Sequence, residues 1–148
     1  MLAPYKIEDL ACYFCSQTNI IAAYIFGSFA EGVETIKSDV DIALLLDHTP
    51  NNLFDYRLEL MDVLSVIVKR ETDVVILNDV PVLLQFQVIK KGKLIFDRDA
   101  DKRAQFQMRV MGRYYDYEKF FRFQSRHLLS RLKGGMLGVR SNSNSIKT

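Results

Sequence analysis

Residues 20–46 read I-I-A-A-Y-I-F-G-S-F-A-E-G-V-E-T-I-K-S-D-V-D-I-A-L-L-L. Two apolar runs suited to strands, Ile20 to Phe26 and Asp39 to Leu46, flank a connection that opens on Gly27-Ser28. The second run begins with two aspartates, Asp39 and Asp41, where a buried strand should be apolar. Residues two apart on a strand share a face, about 7 Å apart along it. Two ionised carboxylates so placed repel one another unless a cation or hydrogen-bond donors face them.

A hard divalent ion resolves the conflict. Carboxylate oxygens without nearby His or Cys suit Mg²⁺, or Mn²⁺, better than Zn²⁺. Asp73, early in the apolar run Thr72 to Leu77, completes the cluster if its strand is a neighbour. At the end of the first strand, Gly27 admits a ligand close to the backbone, and the Ser28 hydroxyl and nearby amides can donate to phosphate oxygens. With Ser28 as the cap of a helical turn over Phe29 to Glu31, those amides would also favour an anion. Phosphate donors on one side and carboxylates on the other make a nucleoside triphosphate site.

Taken singly, Gly-Ser is usually a turn and D-x-D usually surface decoration. The combination of strand, Gly-Ser, ten residues from Phe29 to Ser38 and Asp-Val-Asp entering a strand carries the reading. G-S-F-A-E-G…S-D-V-D-I-A-L-L-L, with a third Asp in E-T-D-V-V-I-L, resembles the nucleotidyltransferase signature of the polymerase-beta-like superfamily. The spacing resembles its minimal (MNT) branch, the antitoxin partners of HEPN ribonuclease toxins. That resemblance implies an α+β fold: a small mixed sheet with packed helices and a helical C-terminal segment. It implies Asp39, Asp41 and Asp73 as metal ligands and catalytic carboxylates, with Asp73 helping to deprotonate the acceptor. Gly27 and Ser28 would hold the triphosphate, Mg²⁺ or Mn²⁺ the site, and ATP would be the substrate. The implied activity is transfer of AMP to a tyrosine of a HEPN toxin, and the implied assembly a hetero-oligomer. Glu31 stands where the family often has a basic residue. It motivates the alternative, an antitoxin that inhibits by contact with little or no catalysis.

The rest of the chain fits one domain. Its 148 residues are 49% hydrophobic and 26% charged, a globular composition, and no apolar run approaches the length of a membrane span. M-L-A-P-Y-K-I-E-D-L lacks the pattern of a secretory leader, so a cytoplasmic location is expected. Helices are expected over Tyr5 to Gln17, Leu53 to Lys69, Val82 to Lys90 and Asp101 to Leu132, with a fourth strand at Lys93 to Phe96. Residues 1–133 read as the transferase domain and 134–148 as a flexible tail.

Residues 1–97 hold 8 Lys/Arg against 14 Asp/Glu, and residues 98–148 hold 12 against 4. The basic third carries R-Y-Y-D-Y-E-K-F-F-R-F, which could stack nucleic-acid bases. An apolar stripe through Phe106, Val110, Tyr114, Tyr117, Phe121, Leu128 and Leu132 favours instead a helix whose aromatics fill a core, with any remainder facing a protein partner. Arg122 and His127 have the spacing of a HEPN ribonuclease motif, but Leu129 stands where its tyrosine belongs, and coincidence is the better reading. His48 lies in a turn and reads as a surface residue. Cys12 and Cys15 fall inside a helical pattern with no second pair, so they are expected to be buried and structural.

Overall fold

The computed structural model describes residues 4–32 and 39–142. In order, the elements are α1 (Pro4–Ser16), β1 (Ile20–Phe26), α2 (Ser28–Glu31), β2 (Val40–Leu46), α3 (Leu53–Val68) and β3 (Thr72–Ile76). A 3-10 turn (Leu77–Asp79), α4 (Val82–Lys91), β4 (Lys93–Asp97) and α5 (Ala100–Asn142) follow. Two compact units result, residues 1–111 and residues 112–148.

The first unit is a mixed four-stranded sheet of order β3-β2-β1-β4 with helices packed on it, the α+β architecture expected from the sequence. β1 runs antiparallel to β2 and β4, while β2 and β3 are parallel and joined through α3. Alternation along the strands sorts the side chains. Ile42, Leu44, Val74 and Ile76 enter one core with Leu10 and Phe14 of α1 and Leu60, Leu64 and Val68 of α3. Residues 100–111 bury Phe106 and Val110, and Gln107 donates to the Tyr24 hydroxyl at 3.0 Å.

Polar side chains hold the element ends. Asn52 caps α3 by accepting from the Asp55 amide, and Lys69 closes it in the left-handed region at φ 62°. The last carbonyls of α1 and its following turn, orphaned by helix geometry, are gathered by Arg98. Its guanidinium donates to the carbonyls of Phe14, Cys15, Gln17 and Ile20 at 2.8–3.2 Å. Asn78 pairs both ends of its amide with the Leu46 backbone, each at 2.9 Å.

Two expectations are corrected. Cys12 and Cys15 are free and exposed, because burying Leu10 and Phe14 turns the rest of that helical turn to solvent. The stripe of α5 is buried only at Phe106 and Val110. Tyr117, Phe121, Leu128 and Leu132 are 39%, 59%, 56% and 51% exposed, so these aromatics fill no core of the chain. Tyr117 and Phe121 stack on each other, 6.2 Å between centroids. α5 is continuous through Gly112 and reaches Asn142, ten residues past the end expected from periodicity. Arg122 pairs with Glu118 one turn away, and His127 rests edge-on against Phe123.

Candidate active site

β1 ends at Phe26, which lies opposite Asp41 on β2, and Asp41 lies beside Asp73 on β3. One row across three strands therefore carries the end of the Gly-Ser connection and two carboxylates. Asp41 and Asp73 are half-buried and alternate with core residues, so both project from the face opposite Ile42 and Val74. Asp39 precedes β2 and is exposed.

Gly27 adopts φ 72°, ψ −149°, a conformation suited to glycine. A Cβ at this position would collide with the Asp41 carboxylate. The missing side chain and the carboxylate thus occupy one small space. Ser28 is half-buried and begins α2. The cap of that helix is Gly27 and not Ser28, since the tight turn places Ser28 already in helical geometry, with no side-chain cap bond. Gly32 closes α2 in the left-handed region. The Glu31 side chain and residues 33–38 lie outside the described residues.

The carboxylates lie within one another's field. The Asp41 carboxyl is pushed above its ordinary range, first by burial and then by the charges of Asp73 and Asp39. Asp73 has a local counter-charge in Arg57 of α3, which donates from Nη2 to its Oδ1 at 3.0 Å and from Nε to the Val74 carbonyl. Arg57 sits in the helix interior of L-F-D-Y-R-L-E-L and reaches Asp73 only because α3 packs against β3. Nothing in the linear sequence marks it.

Among the described residues, no three His, Cys, Asp or Glu side chains stand together as a ready metal cage. Asp41 and Asp73 come side by side, Asp39 adds its charge at the open end, and the donor set is all oxygen. A hard divalent cation fits this chemistry, because it would offset the carboxylate charges that, after burial, raise Asp41.

The fold is shared with known proteins. Residues 8–101 match the family described as polymerase beta, nucleotidyltransferase. The chain is 33% identical over 78 residues to the protein adenylyltransferase MntA of Shewanella oneidensis, an alignment spanning 53% of this chain and 55% of that relative. A crystal structure of a toxin–antitoxin with AMP-PNP superposes with a TM-score of 0.67 at 25% identity, covering 86% of this chain and 99% of that one. A mutant of the toxin–antitoxin MntA–HpeT gives 0.67 at 26% identity, covering 87% and 99%.

Proposed function

The chain belongs to the polymerase beta nucleotidyltransferase family, and from that premise we propose that it transfers AMP from ATP to a tyrosine hydroxyl of a HEPN-type ribonuclease toxin, and thereby acts as its antitoxin. The observation that carries the reading is the strand register, which sets Asp41 between Gly27 and Asp73. The relative named protein adenylyltransferase and the toxin–antitoxin structure with AMP-PNP support AMP as the transferred group and a toxin as partner.

Each residue has a separate task. Gly27 and Ser28 receive the triphosphate, Gly27 through its bare backbone and Ser28 through its hydroxyl and amide. Asp39, Asp41 and Asp73 would hold Mg²⁺ or Mn²⁺. A bound ion would supply Lewis-acid polarisation of the phosphate oxygens and offset the charge of the departing pyrophosphate. Asp73, at the β3 end of the row, accepts the proton of the attacking hydroxyl. That oxygen forms a bond to the α-phosphorus while the bond to the bridging oxygen of the β-phosphate breaks, and pyrophosphate leaves. Arg57 donates to one Asp73 oxygen and so fixes the orientation of the carboxylate.

The test is incubation of the chain, ATP, Mg²⁺ and the co-expressed toxin, followed by intact mass of the toxin. An AMP adduct is expected with the wild type and none with Asp41→Ala, whose circular dichroism should remain that of the wild type. Unchanged labelling by Asp41→Ala refutes the assignment. Full neutralisation of the toxin by Asp41→Ala favours the second reading, inhibition by contact. The exposed aromatics of α5 support that reading.

A further inference from the structure

We propose that the groove on the outer side of β3 is the acceptor subsite, and that it takes the phenol ring of a tyrosine presented by a partner polypeptide. This deepens the transferase reading and rests on it. The sheet order supplies the first argument. From β1 to β3 the row runs Gly27, Asp41, Asp73, with neighbouring strands about 4.8 Å apart. Displacement at phosphorus is in line, so nucleophile and leaving group stand on opposite sides of the phosphorus. With the triphosphate tail at the β1 end, the acceptor must arrive from beyond β3.

A groove of about 280 Å³ lies there, lined by Leu53, Phe54, Arg57, Val75, Asp79 and Val80 among others. A groove of this size has room for a single aromatic side chain. Its apolar walls favour an aromatic ring over the short polar chains of serine or threonine. Phe54, 64% exposed, offers a ring face at no cost in burial until an acceptor covers it. Arg57 belongs to both places: it lines the groove and holds Asp73. A hydroxyl at the Arg57 end of a bound ring would meet the guanidinium, which itself holds Asp73.

The backbone of β3 limits how the partner can enter. The Val74 carbonyl accepts from Arg57, and the Thr72 amide donates to the Ser65 hydroxyl at 3.0 Å. With these two outward groups already engaged, insertion of a side chain is favoured over addition of a strand.

The first experiment titrates isotope-labelled protein with N-acetyl-tyrosinamide, N-acetyl-phenylalaninamide and N-acetyl-serinamide while methyl signals are followed by NMR. The tyrosine probe should shift Leu53, Val75 and Val80, the phenylalanine probe should shift them less, and the serine probe not at all. Val80→Arg, which fills the groove, should abolish these shifts and lower AMP transfer to the co-expressed toxin at least tenfold. Its affinity for ATP with Mg²⁺ should stay within twofold of wild type by calorimetry. Phe54→Ala, at a solvent-exposed position that the fold does not need, should raise the KM for the toxin about fivefold with kcat unchanged. Shifts confined to another surface, or wild-type transfer by Val80→Arg, overturn the subsite. Binding of ATP without any labelling by the wild type counts against the transferase reading instead, and the methyl shifts then decide the groove alone.

Discussion

Asp41 reverses the usual dependence of a carboxylate on pH. Its folded carboxyl is raised by burial, Asp73 and Asp39, so its ionisation opposes folding. The protein keeps this contribution below the ordinary aspartate range and loses it as pH rises through the elevated folded value. Asp41→Asn should therefore be more stable than the wild type at pH 7, by no more than about 1 kcal/mol because the group is partly in water. The gain should vanish in acid, as read from denaturant melts across pH. Adding Mg²⁺ should stabilise the wild type and leave the variant unmoved. Gly27→Ala tests the same space from the other side. It combines an unfavourable positive φ with a clash against the Asp41 carboxylate, and should cost about 1–3 kcal/mol and displace that carboxylate. Asp39, Asp41, Asp73, Gly27 and Ser28, the residues proposed for the site, stand out in the sequence, since carboxylates in a strand and a Gly-Ser bend break the local pattern. Arg57 does not. Its role depends on how α3 packs on β3, which no spacing encodes.

At the level of the elements, periodicity placed every strand to within a residue of where the chain forms it. It also placed α1, α3 and α4, whose amphipathic faces find the sheet. It misplaced the cysteines, because a helical pattern tells which residues share a face but leaves open how wide the buried face is. The stripe of α5 failed for a related reason: periodicity records that a face is apolar, and says nothing of whether the covering surface lies in the same chain. Arg98 was equally hidden, being an isolated arginine after β4 whose four acceptors lie some eighty residues earlier. Arg98→Ala leaves those carbonyls without their charged donor. With charge-assisted bonds worth about 1.5–3 kcal/mol, the variant should lose about 2–3 kcal/mol in a urea melt. Hydrogen exchange should quicken first in the last turn of α1.

For the molecule as a whole, the division after Met111 separates a unit with its own sheet and core from a basic helical segment rich in exposed aromatics. A chain ended after Met111 keeps all four strands, Phe106 and Val110, and should melt within about 3 °C of the full chain by circular dichroism, a shift below ~1 kcal/mol for this size. The same truncation should abolish capture of the co-expressed toxin if the stripe of Tyr117, Phe121, Leu128 and Leu132 is where that partner sits. Charge asymmetry between the two parts was plain from composition, whereas the boundary at Gly112 needed the three-dimensional arrangement.

The thiols of Cys12 and Cys15, three positions apart on the solvent side of α1, have a practical corollary. A bifunctional fluorophore bridging both sulfurs would be locked to the helix axis with the core left untouched. Its polarisation would then report the tumbling of the body to which α1 belongs, and slower tumbling would register each subunit as it joins.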